Sequence, residues 1–319
     1  MIFRVDIRRM IIETDGDSFE EMRSLEQNLS FNATTKEFER RNTKFEAQQM
    51  QTLKIIDANG IYTNLGLLLS DQCFHTIKVA FFQGVDQSVF KDRHEFTGSL
   101  MQQLNDVYDY IDMHNQTKAS FEKLLRIDIR DYPEVAVREA LLNLLVHRDY
   151  AYSASALISI YSDRIEFVSV GGLLPGIDMN DILLGVSVCR NQNLANVFYR
   201  LQLIEAYGTG IRKIMKAYEN SESRPIIEST SNAFKIVLPN INVKSTSLPA
   251  VDGKNVRLSE TENKVRIYVN VNGSITRLEV EKLLDISPST ANRLLKQMTE
   301  KNLLLKSGHG IATKYVLPD

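Results

Sequence analysis

Tryptophan is absent from this chain, and cysteine occurs twice, at Cys73 and Cys189. Two isolated thiols make neither a zinc site nor a disulfide framework, and a reducing cytoplasm is the expected setting. No apolar run approaches the about 20 residues that cross a bilayer, and the N-terminus lacks a signal-peptide pattern, so no membrane role is expected. No G-x-x-x-x-G-K-[ST] sequence occurs, which excludes a P-loop motor as far as sequence can. An excess of one charge is missing too: 38 Lys and Arg face 40 Asp and Glu, a net −2. Any surface for nucleic acid must therefore be local. What remains is ordinary globular material, 43% hydrophobic and 24% charged, in 319 residues that suffice for two or three domains.

The stretch Arg138-Glu-Ala-Leu-Leu-Asn-Leu-Leu-Val-His-Arg-Asp-Tyr150 dominates the pattern. Leu141, Leu142, Leu144, Leu145 and Val146 are too apolar for a surface helix and predict a buried one. Pro133 and Glu134 suit its N-terminus. Glu139, Asn143 and His147 recur every four residues and share one face. Burying them unmet would cost roughly 1–3 kcal/mol each, so strands or a ligand must meet them. In the ligand reading Asn143 holds a magnesium ion and Glu139 orients or activates water. His147, Arg148 and Asp149 match no zinc spacing, and an Arg148–Asp149 ion pair at the helix C-terminus is expected instead.

Around this helix the chain reads as follows. Residues 19–31 and 35–53 have helical spacing, 61–69 form a buried helical turn, and Ile77–Phe82 is a strand. A helix follows Gly98. Residues 157–161 and 164–168 alternate with period two and make a hairpin. Gly171-Gly172 and Gly176 come next, then Arg190-Asn191, a helix over 194–203, and Gly208-Thr-Gly210 opening a helix over 211–218. Free amides at such a helix start can cradle phosphate. A strand over 233–238 ends at Pro239, and 241–254 reads as a linker.

Ser259 and Glu262 have capping-box spacing. Helices at 277–284 and 289–301 and two short strands around Gly308/Gly310 complete the pattern of a winged helix-turn-helix. Residues 255–319 carry ten Lys/Arg against seven Asp/Glu, an excess of three. Ser287, Ser289, Thr290, Asn292, Arg293 and Lys296 suit a recognition helix, and Lys306, His309 and Lys314 a wing against phosphates. Winged helices also dock proteins, so double-stranded DNA is the expected partner and a protein the rival.

Taken together, Arg138-Glu-Ala-Leu-Leu-Asn143, Val146-His-Arg-Asp-Tyr150, Asp163-Arg-Ile-Glu166, Gly171-Gly-Leu173, Arg190-Asn191 and Gly208-Thr-Gly-Ile211 span 74 residues. This order resembles the ATP-binding fold shared by gyrases and histidine kinases (GHKL). It is more similar to a divergent branch in bacterial RecG-related proteins and transcriptional regulators. Residues 62–69 resemble that branch's Thr-Asn-Ala-Gly-Leu-Leu-Leu-Phe joint, which implies that 1–55 are the tail of a Schlafen AlbA-like domain and that the chain is truncated or a fragment.

The resemblance implies an α+β fold: a GHKL-like two-layer α/β sandwich over 56–240, an N-terminal α+β segment, and a winged helix over 255–319. It implies ATP and Mg2+ as cofactors, with Asn143 on the metal and Glu139 as the catalytic, water-activating group. Gly208, Thr209 and Gly210 would form the phosphate lid, and Gly171, Gly172 and Gly176 the first glycine box. Relatives carry an Asp ahead of that glycine for the adenine amine; here Ser169-Val170-Gly171 stands in its place. The implied function is a DNA-binding transcriptional regulator, a homodimer, whose ATPase-like domain senses nucleotide or drives dimerisation. The rivals are an ATPase acting on nucleic acid and an interaction scaffold.

Overall fold

Six strands and one buried helix set the frame of the larger part of the molecule. The computed structural model describes residues 18–243 except 187, 206 and 207. It also describes residues 261–317 except 263–264, 266–267, 270–272, 285, 301–302 and 308–312. The chain divides into two units, Met1–Thr246 and Ser247–Asp319. The linker from residue 244 on, Ser259, and the wing turn with Gly308, His309 and Gly310 lie outside the described residues.

In the first unit, β1 (Ile77–Phe82), β2 (Phe90–Phe96), β5 (Ala156–Ile160), β6 (Arg164–Val170), β7 (Ile226–Ser229) and β8 (Ala233–Pro239) form one sheet in the order β2-β1-β5-β6-β8-β7. Only β1 and β5 run parallel. The α+β class is thus as expected, and the sheet is mixed. β6 alternates buried and half-buried residues, so one face meets the core. Against that face lies α5 (Glu134–Val146), with Leu141, Leu144 and Leu145 packed on Ile158, Ile165 and Phe167. β3 (Thr117–Glu122) and β4 (Leu125–Arg130) pair as a separate two-stranded sheet. α4 (Leu100–His114) precedes them, with Ser99 capping it by accepting from Gln102 N at 3.1 Å.

The N-terminal part departs from its pattern. Residues 19–31 contain no helix, because tertiary bonds hold them extended. Gln27 Nε2 donates to the Tyr62 carbonyl at 3.0 Å and its Oε1 accepts from Tyr62 N at 3.0 Å. The helix expected over 35–53 is two, α1 (Asn32–Arg40) and α2 (Ala47–Thr52), separated where Asn42 takes φ +54. Phe38, Ile55 and α3 (Asn64–Leu69) are buried in the same core as α5.

Glu20 fastens this segment to α7 (Gln192–Arg200). Its buried carboxylate accepts from Asn193 N at 2.9 Å and Leu194 N at 2.7 Å, an N-cap supplied from 173 residues away in sequence. Burial pushes Glu20 up to about 7, against the pull of the two amides. A carboxyl whose folded-state pKa lies above its unfolded one holds its proton more tightly when folded. Its contribution to stability therefore declines as pH rises from about 4.5 to about 7. Chemical denaturation at pH 5 and pH 7.5 is expected to show that decline, by at most about 3 kcal/mol, in the wild type relative to Glu20→Gln. Parallel pH profiles of the two proteins would rule it out.

The second unit buries Val265, Val269, Ile275, Val280, Ala291, Leu295 and Met298 together. α9 (Arg277–Leu284) starts with Thr276 and Glu279 bonded reciprocally, and α10 (Pro288–Glu300) is capped by Ser287, whose Oγ accepts from Thr290 N at 3.3 Å. β9 (Leu305–Ser307) and β10 (Lys314–Val316) pair antiparallel, and Ile275 bridges to Tyr315 on the other side.

Candidate functional site

A cleft of about 240 Å³ opens along the polar stripe of α5, lined by Glu139, Asn143 and His147. Eight residues at about 1.5 Å each make that stripe about 12 Å long. The volume lies just under the about 300–1,000 Å³ usual for small-molecule sites.

At one end α8 (Gly210–Ala217) packs on α5, and α6 (Met179–Leu184), which packs on α8, adds Ile182 to the cleft wall. A Cβ on Gly210 would lie 3.0 Å from Asn143 Nδ2 and 3.2 Å from Glu139 Oε2, so glycine lets the start of α8 sit against both side chains. Thr209 occupies the N-cap of α8 without bonding its amides; its hydroxyl donates to Glu205 Oε2 at 3.3 Å instead. The first amides of α8 are thus left uncapped by side chains at the cleft, as an anion site requires. Lys213, one turn on, reaches Glu205 at 2.8 Å and Glu139 Oε1 at 3.8 Å. Arg138 holds the same Glu139 oxygen at 2.6 Å and the Leu203 carbonyl. Asn143 Nδ2 donates to the Glu139 carbonyl at 2.9 Å, so its oxygen is the atom left for a ligand.

At the other end, β6 runs into Gly171 (φ +104) and Gly172. A side chain on Gly171 would press on Asp149 Cβ at 3.0 Å. Arg190 Nη2 donates to the Gly172 carbonyl at 2.9 Å, and its Nη1 stands 3.5 Å from Asp149 Oδ2. Burial, and then the neighbouring Arg190 charge, push His147 down to about 4, so the imidazole is neutral near pH 7.

The expected Arg148–Asp149 ion pair is absent: Asp149 pairs with Arg190. Arg148 turns inward, fully buried, donating to the Thr76 carbonyl at 3.1 Å and the Ala154 carbonyl at 2.7 Å and facing His75 Nδ1 at 3.4 Å. The end of α5 is closed by Asn191, whose Nδ2 donates to the Val146 and Arg148 carbonyls at 2.8 and 2.7 Å. Sequence reading marked Arg190-Asn191 as a motif without assigning it this work. A buried Asn just before a helix was the available signal.

Glu139, Asn143, Gly171, Gly172, Gly208, Thr209 and Gly210 all line the cleft. Gly176 does not; its φ +82 turn faces open space. Ser169 is buried and off the cleft, and the carboxylates among the lining residues, Glu139 and Glu205, both belong to the α8 end. The α8 end therefore fits magnesium-bound phosphates, whereas at the Gly171 end no carboxylate is among the described lining residues, Asp149 behind Gly171 being paired with Arg190. No cluster of three or more metal-ligating side chains occurs among the described residues.

On the second unit, Ser289, Asn292, Arg293 and Lys296 lie exposed along one side of α10, opposite Ala291, Leu295 and Met298. Thr290 is half-buried, and its hydroxyl meets Ser287 Oγ at 2.9 Å, so these two serve the cap first. Lys306 and Lys314 are exposed on β9 and β10.

No helix among the described residues is long and apolar enough to cross a membrane. No curated protein matches the chain. A crystal structure of the DIP2311 protein from Corynebacterium diphtheriae superposes with a TM-score of 0.63 at 18% identity, over 95% of this chain and 64% of that one. The likeness is one of fold, and the chain spans less than two thirds of that protein's length. Residues 154–238 match the family described as "Putative ATP-dependent DNA helicase recG C-terminal". That segment contains both glycine clusters but begins after Glu139 and Asn143. It is similar to a RecG-related, ATPase-like domain.

Proposed function

We propose that the chain is a nucleotide-responsive, DNA-binding transcriptional regulator. The observation that carries the nucleotide half is the uncapped N-terminus of α8 seated on Glu139 and Asn143, so close that a Cβ at Gly210 would press on both side chains. Phosphate oxygens would take the α8 amides and Lys213, and Asn143 Oδ1 would complete the shell of a magnesium ion. When bound, that ion supplies charge neutralisation for the phosphates. Glu139 is engaged by both Arg138 and Lys213, which leaves it poorly placed to take a proton from water and favours sensing over turnover. The DNA half rests on the exposed Asn292, Arg293 and Lys296, read as the recognition helix of a winged helix-turn-helix with Lys306 and Lys314 on its strands.

Two measurements test it. Mg-ATP at a hundred times its dissociation constant should stabilise the protein by about 2.7 kcal/mol, and Gly210→Ala should abolish the shift. A nucleotide series without any shift would defeat the sensor. A duplex-DNA gel shift should weaken with salt and again in Arg293→Ala and Lys296→Ala, each lowering the salt slope by about one. Binding untouched by both changes would remove α10 from the interface. Phosphate release that disappears in Glu139→Ala, with nucleotide still bound, would make the protein an ATPase instead.

A further inference from the structure

The β3–β4 hairpin is joined to the rest of the first unit by its ends rather than by a shared sheet. Its register runs from Thr117↔Arg130 to Glu122↔Leu125, and Lys123 takes φ +55 at the turn. Phe121 is 73% exposed, Leu124 fully, and Leu125 65%. A lone two-stranded sheet is marginal in water, and its unpaired edges are templates for another strand. Apolar residues clustered there indicate a covering partner.

The charge order on β4 says which one. The strand reads Leu125-Arg-Ile-Asp-Ile-Arg130. Laid antiparallel against its own copy about Ile127, it sets Leu125 opposite Ile129 and Arg126 opposite Asp128. Ile127 then faces itself. Each of these pairs is apolar with apolar or opposite in charge, and Arg130 at the end of the strand meets Leu124 of the turn. Centring the twofold one residue earlier places Arg126 against Arg126; one residue later sets Asp128 against Asp128 and Arg126 against Arg130. The sequence thus selects one register. β3 can do this only about Ser120, opposing Ala119 to Phe121, with less apolar surface. Within one chain Arg126 and Asp128 pair at 2.8 Å on the surface, a weak contact that exchange across a twofold would double. The Ile129 carbonyl faces β3 opposite Lys118 and also accepts from Asn242 Nδ2 at 2.9 Å, so the outer-edge groups offered to a second copy are those of Arg126, Asp128 and Arg130.

We infer that two copies of the chain associate through the outer edge of β4, antiparallel about Ile127, completing a four-stranded sheet. This interface does not depend on nucleotide or DNA. Sedimentation velocity on the full chain should show a dimer. Ile127→Asp, which sets two carboxylates on the axis, should leave a folded monomer that still unfolds cooperatively. Arg126→Asp and Asp128→Arg, each of which opposes like charges twice, should weaken the dimer about tenfold or more. The double exchange Arg126→Asp/Asp128→Arg should restore it. A monomeric wild type overturns the inference. So does a dimer indifferent to Ile127→Asp, a double exchange that fails to rescue, or dissociation by Lys118→Glu with none by Arg126→Asp.

Discussion

Arg148→Ala is expected to bring the first unit close to unfolding under conditions where the wild type is stable. The guanidinium has no carboxylate partner among the described residues. It ties the Thr76 carbonyl, just before β1, to the Ala154 carbonyl, just before β5, and so fixes the start of the parallel pair. The Tyr150 ring lies 5.1 Å from it and His75 lies beside it. Removing the side chain takes a donor from two part-buried carbonyls, of which that of Thr76 keeps Ala156 N at 3.1 Å, so the main loss is the cavity left by a fully buried side chain, about 2–5 kcal/mol in all. Set against a typical stability of about 5–15 kcal/mol, that is decisive. Arg148→Lys keeps the charge but not the planar fork, and should fall between. Urea unfolding reads the result; a loss below about 1 kcal/mol would mean the cavity closes and the carbonyls find other donors. Burial, with Arg148 adding to it, pushes His75 down to about 4. A base with a depressed folded-state pKa loses stability as pH falls from about 6.5 to about 4, opposite in sign to Glu20.

Gly172→Ala is the second large effect, and its cause is space rather than backbone conformation. A Cβ there would collide with the Thr230 carbonyl oxygen and approach the Ser231 carbonyl carbon at 2.8 Å, both in the turn between β7 and β8. Backbone cannot yield as a side chain can. The turn would have to move, and with it Asn232, whose carbonyl accepts from Gly171 N at 2.9 Å. Overpacking of this kind costs about 1–3 kcal/mol or more, and the displaced loop would also forfeit the nucleotide-dependent shift. Gly176→Ala is the control: its φ of +82 imposes about 1–2 kcal/mol of strain, but nothing stands in the way of the methyl group and the cleft is untouched. Equal losses of stability and of ligand response in the two variants would show that the collision is relieved cheaply.

What the sequence could tell depended on whether a residue's surroundings are local. The stripe of Glu139, Asn143 and His147 was legible because a helix brings i and i+4 together whatever else the chain does. Gly208-Thr-Gly210 was legible because glycines before a helix leave amides open. β1, β5, β6 and β8 were legible from apolar alternation. β2, Phe-Lys-Asp-Arg-His-Glu-Phe, was not, because an edge strand takes charges on both faces. β3 and β4 do alternate with period two, but as an exposed pair outside the main sheet they carry few apolar residues to mark them. Arg148 read as a surface cation because the groups that hold it come from residues 75, 76 and 154. The absence of a helix over 19–31 follows from a pairing of Gln27 with Tyr62 that no local pattern encodes.

The long-distance cap by Glu20 matters for anyone trimming this chain. α7 offers Gln192, Ala195 and Asn196 to the cleft while its first amides rest on a carboxylate from the opposite end of the unit. A deletion that removes residue 20 would uncap that helix and slacken a wall of the pocket. Lost ligand affinity in such a shortened protein would then report a damaged wall, not a ligand contact in the removed segment. Glu20→Ala in the uncut chain separates the two.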